Sequence, residues 1–164
     1  MSRAFVKEGA PEAPVVVPPR PPLPAGVPNY VTPAGLAALR AERSEIEADR
    51  ARLGDAAEAA RDRELLTGRL RDLVERIAVS KEVDPARMDR DDVRFGATVT
   101  LRRDGAEQTL QIVGVDEADS DVGTVAFTSP FARAVTGKRA GEAAVLKTPR
   151  GDERLEILRV VYTA

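Results

Sequence analysis

Two carboxylates near the middle of the chain have the spacing of a cation-binding pair. They are Asp55 and Glu58, in the stretch LGDAAEAA that spans residues 53–60. Residues three positions apart lie on one face of a helix, so both carboxylates could bind one hard cation such as Mg2+. The same D-x-x-E spacing is typical of a capping box, in which both side chains accept hydrogen bonds from backbone N–H groups at a helix start. The residues alone leave both interpretations open.

Composition excludes several other kinds of chemistry. The 164 residues include neither Cys nor His, which rules out disulfides, histidine-based nucleophilic triads and the usual structural zinc sites. The 25 basic and 27 acidic residues give a net charge of −2, so a uniformly basic surface for nucleic acid is not indicated. We therefore expect a protein that is not an enzyme, has no cofactor of its own and makes no direct sequence-specific contact with nucleic acid.

The same composition bears on where the protein works. No apolar run is long enough for a membrane span, and no signal peptide is recognisable. The lack of Cys fits a reducing compartment. We expect a soluble, cytoplasmic monomer without a membrane partner.

The elements that must position the acidic pair begin after a proline-rich arm at residues 1–29. Eight of the 12 prolines lie between Pro11 and Pro28, and proline prevents helices and sheets from propagating. We expect a flexible arm, either extended or disordered. Its PPRPP sequence is a plain spacer or a ligand for a proline-binding module, and the composition favours the spacer.

Residues 30–80 have the pattern of an antiparallel helical hairpin. Thr32-Pro33 is a helix cap followed by proline at the first helical position. Two heptad series of apolar residues follow, separated by Gly54: Leu36, Leu39, Ile46 and Leu53, then Leu66, Leu70, Leu73 and Ile77. Two such helices joined by a short turn must fold back on each other, with the second helix starting near Asp55. The acidic pair therefore lies at the tip.

The rest of the chain predicts a compact α+β domain at residues 93–164, after a polar linker at 81–92. Alternating patterns between turn signals predict five strands, at residues 97–103, 107–115, 123–128, 142–148 and 153–162. Ser129-Pro130 repeats the cap-then-proline pattern and opens one short helix, which Gly137 ends.

This last segment is similar to the C-terminal domain of the GreA/GreB transcript-cleavage and elongation factors. The matching motifs occur in order, starting at the residues given: V-x-F-G-x-x-V at Val93, I-V-G at Ile112, D-E-A-D at Asp116, G-T-V at Gly123, S-P-F-A-R-A at Ser129, G-K at Gly137 and G-E at Gly141. The hairpin sequences Y-V-T-P-x-G-L at Tyr30 and T-G-R-L at Thr67 also resemble the family. The resemblance covers about residues 29–164, and the opening MSRAFVKE resembles GreB-like members.

The resemblance implies a fold, a partner and a role for the tip. The family fold is an antiparallel coiled-coil hairpin followed by an FKBP-like antiparallel sheet domain with one short helix. In relatives the globular domain docks on bacterial RNA polymerase at the mouth of the secondary channel, and the hairpin enters the channel. Acidic residues in a G-D-x-x-E motif at the tip help hold a second Mg2+ at the polymerase active site, which cleaves backtracked RNA. Asp55 and Glu58 match that motif, so Mg2+ would be bound only within the polymerase complex.

The resemblance also implies residues that contact the polymerase. Ser129, Pro130 and Phe131 would supply an apolar anchor, and Arg133 would reach acidic groups on the partner. A purely structural interpretation is that Ser129 caps the helix, Pro130 starts it and Phe131 fills the core. Thr128 stands where relatives often carry an acidic residue, which makes this contact weaker or different.

Two departures from the family pattern favour the capping box over a metal site. The hairpin is shorter than in full-length cleavage factors by roughly three turns in the first helix and two in the second, so the tip stops more than ~10 Å short. After Glu58 the chain continues Ala-Ala-Arg-Asp, where relatives have Asn, Ala, Glu and an aromatic residue. We therefore expect a regulator of transcription elongation that binds RNA polymerase at the secondary channel, rather than a stimulator of cleavage.

Three alternatives remain. A short-hairpin polymerase-binding protein of the Rnk kind, associated with regulation of nucleoside diphosphate kinase, is favoured by the short rod, whereas the arm favours GreB-like descent. A coiled-coil adaptor without a polymerase role also fits the periodicity. A prolyl isomerase is disfavoured, because such enzymes line an apolar cleft with several aromatic rings and this domain has only four: Phe95, Phe127, Phe131 and Tyr162.

Overall fold

A helical hairpin makes up the first part of the fold. In the computed structural model, which describes residues 12–163, strand β1 (Asn29–Val31) leads into helix α1 (Pro33–Leu53), and helix α2 (Ala60–Ala78) returns to strand β2 (Ser80–Glu82). β1 and β2 pair in parallel, so both ends of the hairpin meet at one base. Among residues 12–163, none of the helices combines the length and the apolar composition of a membrane span. The antiparallel helical hairpin, which is the first part of the predicted fold class, is confirmed.

The start of α1 and the contact between the two helices follow the predicted pattern. The Thr32 side-chain oxygen accepts a hydrogen bond from the backbone N–H of Gly35 at 3.0 Å, and Pro33 takes the first helical position. The apolar seam buries Leu36, Leu39, Ile46 and Leu73, with Leu66, Leu70 and Ile77 half-buried against them. Burying one such side chain stabilises the fold by about 1.5–3 kcal/mol. Packing along this seam, rather than helix propensity, therefore holds the rod together.

The turn at the tip of the hairpin is longer than the sequence predicted. Gly54 ends α1 with φ of 58°, Ala56 is extended with ψ of 135°, and a 3₁₀ turn at Ala57–Ala59 leads into α2. The predicted start of the second helix near Asp55 is wrong, because α2 begins at Ala60. An α-helix cannot pass through an extended residue, so the backbone at Ala56 delays the helix start.

The segment after the hairpin differs from the polar linker predicted at residues 81–92. Its first residues form β2, and a 3₁₀ turn at Pro85–Arg87 follows, with Asp84 as its cap. Pro85 is buried against Gly96, which has φ of 85° and where a Cβ atom would lie 2.8 Å from the proline ring. The segment is therefore packed on the globular domain instead of joining two independent parts.

Asp92 fixes the end of this segment. Its backbone oxygen accepts from the Tyr162 hydroxyl at 2.6 Å, and its buried carboxylate accepts from Arg90 and Arg94 at 2.8 Å each. The hydrogen bond from Arg90 is the largest cause that lowers the pKa of Asp92 to about 2; burial acts in the opposite direction, and Arg94 lowers the pKa further. The ionised carboxylate of Asp92 thus holds Arg90 and Arg94, while its backbone oxygen ties the segment to Tyr162, directly after the last strand of the sheet.

The globular domain is a five-stranded sheet with the strand order β5-β4-β3-β7-β6. Its strands are β3 (Thr98–Arg103), β4 (Ala106–Val113), β5 (Thr124–Ala126), β6 (Ala143–Thr148) and β7 (Gly151–Val161). The turn between β3 and β4 falls at Asp104-Gly105, as predicted, with positive φ at both residues. The sheet is not wholly antiparallel, which corrects one part of the predicted fold class, because β5 pairs in parallel with β4. The long connection at 114–123 lets the chain cross over before re-entering the sheet.

One short helix, α3 (Pro130–Val135), packs on this sheet. Ser129 caps it by accepting from the backbone N–H of Ala132 at 3.1 Å, and Gly137 follows its end with φ of 81°, so both predicted signals are confirmed. The sheet and helix bury one apolar core: Val93, Ala97, Val99, Leu101, Ile112, Phe131, Ala132, Val135, Ala144, Leu146, Leu155 and Ile157. The α+β fold class is confirmed.

The Asp92 network gives a pH-dependent contribution to stability. Because folding lowers the pKa of Asp92 from 3.8 to about 2, the ionised carboxylate stabilises the fold above pH ~4, and this contribution is lost as the pH falls towards 2. We predict that Asp92→Asn lowers the free energy of unfolding at pH 7 and that its difference from the parent shrinks between pH 4 and 2. Urea denaturation at a series of pH values measures this. The control is Asp91→Asn, whose side chain is 77% exposed; a difference for Asp92→Asn that stays constant with pH would contradict the network's role.

Candidate functional site

The acidic pair at the tip is exposed and does not form the predicted capping box. Neither Asp55 nor Glu58 hydrogen-bonds to a backbone N–H group, and neither pairs with any cation within residues 12–163. The turn is held by Arg63 instead, whose Nη1 donates to the backbone oxygens of Gly54 at 2.8 Å and Ala56 at 3.0 Å. The capping box is wrong because the chain is extended between the two acids, so Asp55 does not stand at a helix start.

The tip fits a cation only as part of a larger site. Mg2+ requires near-octahedral coordination by oxygen atoms, and two carboxylates do not complete such a shell. No group of three or more metal-binding side chains occurs in the described part of the chain. Asp55 and Glu58 could therefore add oxygen ligands to an ion that another molecule holds, which is the arrangement that the family resemblance implies.

The four residues predicted to contact a partner are divided between the core and the surface. Phe131 is 9% exposed and belongs to the core of the globular domain, and Ser129 is engaged as the cap of α3. Pro130 and Arg133 are exposed, and Arg133 has no ion pair with any residue between 12 and 163. Of the four, only Pro130 and Arg133 are thus exposed, while Ser129 caps α3 and Phe131 packs it on the sheet.

Two acidic residues that the sequence analysis gave no role join the hairpin to the globular domain. The Asp116 carboxylate is 4% exposed and forms ion pairs with Arg20 at 3.0 Å and with Arg76 of α2 at 3.4 Å. Arg20 also donates to Glu42 of α1 at 3.0 and 3.1 Å. Burial acts to lower the pKa of Arg20, but the two carboxylates raise it overall. Arg20 therefore stays charged wherever the protein is folded.

Glu117 binds the start of α1 directly. Its carboxylate accepts from the backbone N–H of Thr32 and from that of Gly114, each at 3.0 Å, and from the Thr32 hydroxyl. Gly35 provides the space, because a Cβ atom there would lie 2.0 Å from the Glu117 carboxyl carbon. A carboxylate at a helix N-terminus is also favoured by the helix dipole. Glu117 therefore fixes the base of the rod on the globular domain.

An aromatic cluster closes the same junction. The rings of Tyr30, Phe95 and Phe127 lie in a triangle with centroids 5.6 to 5.7 Å apart, two of the pairs edge to face. Such pairs stabilise by ~0.5–1.5 kcal/mol beyond their burial. Because Tyr30 belongs to β1 and the two phenylalanines to the globular domain, the cluster connects both parts of the protein.

Comparison with known proteins shows which family the chain resembles. Residues 88–162 match the family model described as the C-terminal domain of the transcription elongation factors GreA/GreB. The transcription elongation factor GreB of Neisseria meningitidis is 40% identical over 153 residues, which cover 82% of this chain and 94% of that protein. This chain belongs to the GreA/GreB family. The GreA of Hyphomonas neptunium is 40% identical over 99 residues, or 59% of this chain and 63% of that protein. The solved structure of the GreA factor homologue Gfh1 of Thermus thermophilus matches 80% of this chain and 97% of its own, with 17% identity and a TM-score of 0.39.

The GreA/GreB chain described here is shorter than its relative within the matched region. The alignment with the N. meningitidis protein spans 153 positions, whereas 82% of the 164 residues is about 134. The relative therefore has about 19 residues that this chain lacks within the matched region.

The residues that form the junction were not predicted from the sequence, although two signals for them were present. Asp116 and Glu117 lie in the D-E-A-D motif, which the family resemblance marked without giving it a task. Arg20 is the single cation in the PPRPP stretch, and a lone charge among prolines was the available signal. The segment MSRAFVKE and the rest of residues 1–11 lie outside the described residues.

The corrected tip geometry leads to a prediction about stability. Asp55→Asn combined with Glu58→Gln should leave the melting temperature unchanged, because neither carboxylate makes a hydrogen bond. Arg63→Ala should destabilise the hairpin by about 1 kcal/mol, since it removes the donor to two turn carbonyls. Circular dichroism melting compares these variants. A clear fall in the melting temperature of the Asp55→Asn, Glu58→Gln variant would show that the two carboxylates do form a capping box.

The junction leads to a second prediction. Glu117→Ala leaves the backbone N–H groups of Thr32 and Gly114 without their acceptor, and we expect a loss of about 2–4 kcal/mol in the free energy of unfolding. The matched control is Glu45→Ala on α1, because Glu45 is exposed and has no ion pair within the described chain. Equal stabilities for the two variants in urea denaturation would show that Glu117 does not fix the rod.

Proposed function

We propose that this GreA/GreB-family protein binds bacterial RNA polymerase at the mouth of the secondary channel and regulates elongation there, as a monomer and without catalysis of its own. The observation that carries the proposal is a slender two-helix rod fixed on the family's C-terminal domain. A channel admits a rod of two helices and excludes a bulky domain, so the globular part must remain outside as the anchor. The ionised and aromatic contacts at the junction support this division of roles.

The docking surface of the anchor is the exposed side of α3. Pro130 supplies an apolar contact, and Arg133 supplies a charge that is not paired within residues 12–163 and that can reach an acidic group of the polymerase. Phe131 packs beneath them and fixes the helix on the sheet. Because Phe131 is in the core, it supports the contact without making it.

The reach of the rod argues against stimulation of transcript cleavage. Helix α1 has 21 residues and is roughly 31 Å long. If the two helices together lack the roughly five turns that the family pattern indicates, the tip stops about 13 Å short of the position expected for the longer relatives. Carboxylates bind Mg2+ at about 2 Å, so Asp55 and Glu58 would remain hydrated and would not share the ion. The factor would then act by occupying the channel mouth, by excluding other channel-binding factors or by altering pausing.

The short rod also favours a second candidate function, that of an Rnk-like regulator of nucleoside diphosphate kinase. An assay of that kinase with and without the protein separates the two. The prolyl isomerase alternative is disfavoured, because the four aromatic rings of the globular domain do not line a common cleft. Phe95 and Phe127 lie in the junction cluster, Phe131 is in the core, and Tyr162 is hydrogen-bonded to Asp92.

Polymerase binding is tested by measuring affinity for core RNA polymerase. We predict binding at micromolar concentration or tighter, and a loss of about tenfold, equivalent to ~1.4 kcal/mol, for Arg133→Glu. The control is Arg150→Glu in the exposed turn between β6 and β7, which changes the net charge equally. Absence of binding by the parent would contradict the proposed function, whereas equal affinity of the two variants would contradict only the docking surface.

The reach of the tip is tested by lengthening the hairpin. Inserting one heptad into each helix preserves the seam and adds about 10.5 Å, which leaves the backbone of the tip only ~3 Å short, a distance that the carboxylate side chains can span. We predict that the parent does not accelerate RNA cleavage in backtracked complexes, that the lengthened protein does, and that Asp55→Asn with Glu58→Gln abolishes the gain. Acceleration by the parent at the level of a longer factor would show that the rod already reaches the active site.

A further inference from the structure

Residues 12–28, which we name the strap, lie along the hairpin rather than apart from it. The backbone oxygen of Ala13 accepts from Arg61 at 2.9 Å, next to the tip, and the backbone oxygen of Pro21 accepts from Arg76, near the base. The strap therefore runs the length of α2 from tip to base. This differs from the flexible arm that the prolines predicted.

Arg20 of the strap contacts two parts of the fold directly and is connected to a third through Asp116. Its guanidinium binds Glu42 of α1 and Asp116 of the globular domain, and Asp116 in turn pairs with Arg76 of α2. The side chains of Arg20 and Arg76 are 20% and 11% exposed, so these ion pairs are shielded from solvent far more than ordinary surface pairs. Arg20 is thus placed to hold the hairpin and the globular domain in one relative orientation.

Gly68 provides a seat for the strap on α2. A Cβ atom at Gly68 would lie 2.4 Å from the Cγ2 atom of Val17, closer than side chains approach one another. Glycine inside a helix costs about 1 kcal/mol relative to alanine, and the space that Val17 needs explains this cost. Two independent features, the seat at Gly68 and the ion pairs of Arg20, therefore fit the strap to the hairpin.

Proline also suits the strap to this task. Extended proline-rich chains are already restricted before folding, so fixing them against a surface loses little conformational entropy. They lack the backbone donors that would let the strap pair with a neighbouring strand. Contacts therefore come from carbonyl acceptors and side chains, as observed at Ala13, Val17, Arg20 and Pro21.

We propose that the strap is a brace that fixes the angle of the hairpin on the globular domain, with Arg20 as the locking residue and the Val17–Gly68 contact as the seat. In the part of the chain that the structure describes, the hairpin contacts the globular domain only at its base, so the contact area between them is small. The strap adds contacts to both and so limits their relative movement. In the bound strap, Arg20, the arginine of PPRPP, is held in ion pairs and is not available to a proline-binding module. The inference goes beyond the proposed function and does not require the polymerase.

The orientation of the hairpin can be measured directly. The chain has no Cys, so cysteines at Ala57 in the tip and at Val145 on β6, both exposed, can carry two spin labels. We expect a single narrow distance distribution in the parent and a distribution at least twice as broad in Arg20→Gln, with unchanged helix content. The control is Arg40→Gln on α1, which is exposed and has no ion pair within the described residues. A distribution for Arg20→Gln as narrow as that of Arg40→Gln would overturn the proposal.

The seat is tested by a double-mutant cycle in the full chain. In a helix without a strap, Gly68→Ala should raise the melting temperature by about 2 °C. We expect it to lower the melting temperature in the parent, where the new methyl group meets Val17, and to raise it in a Val17→Ala background. A rise of equal size in both backgrounds would show that the strap does not sit at Gly68 and would overturn the brace.

Discussion

Two adjacent carboxylates, Asp116 and Glu117, hold the base of the hairpin, and the position of the tip depends on them. Glu117 accepts from Thr32, the cap of α1, while Asp116 forms ion pairs with both Arg20 and Arg76 in a site largely shielded from solvent. Removing one partner from a buried ion pair typically costs ~3–5 kcal/mol, because the other charge is left uncompensated. A small angular change at such a base is multiplied along a rod of about 30 Å, so the junction controls where the tip lies.

The tip of the hairpin exposes its two carboxylates and has few contacts that stabilise it. Its acids make no structural contact within residues 12–163, and Arg63 holds the turn through backbone carbonyls alone. Exposed, unpaired carboxylates are therefore available to a partner, and their use depends on distance. The chain thus carries an exposed acidic pair at the tip of a hairpin that stands on the C-terminal domain of the GreA/GreB family.

The sequence predicted local interactions well and distant ones poorly. Thr32 and Ser129 were recognised as caps because each accepts from a backbone group three residues later, a distance that the sequence displays. The same reasoning failed for Asp55, because the backbone of the turn is set by Arg63 rather than by the acid's own neighbours. Arg20 binds residues 22 and 96 positions away, so the order of the strap could not be deduced from proline content. The parallel pairing of β5 likewise depends on how a long connection crosses the sheet.

We propose that the short rod, held at a fixed angle, enters the polymerase channel and stops before the catalytic metal. The most direct measurement is a cryo-electron microscopy structure of the full chain bound to a backtracked RNA polymerase complex. We expect α1 and α2 to lie in the secondary channel, α3 to contact the rim, and the Asp55 carboxylate to lie more than ~10 Å from the catalytic Mg2+. A carboxylate oxygen of Asp55 or Glu58 within bonding distance of a Mg2+ ion, or a hairpin bound outside the channel, would contradict it.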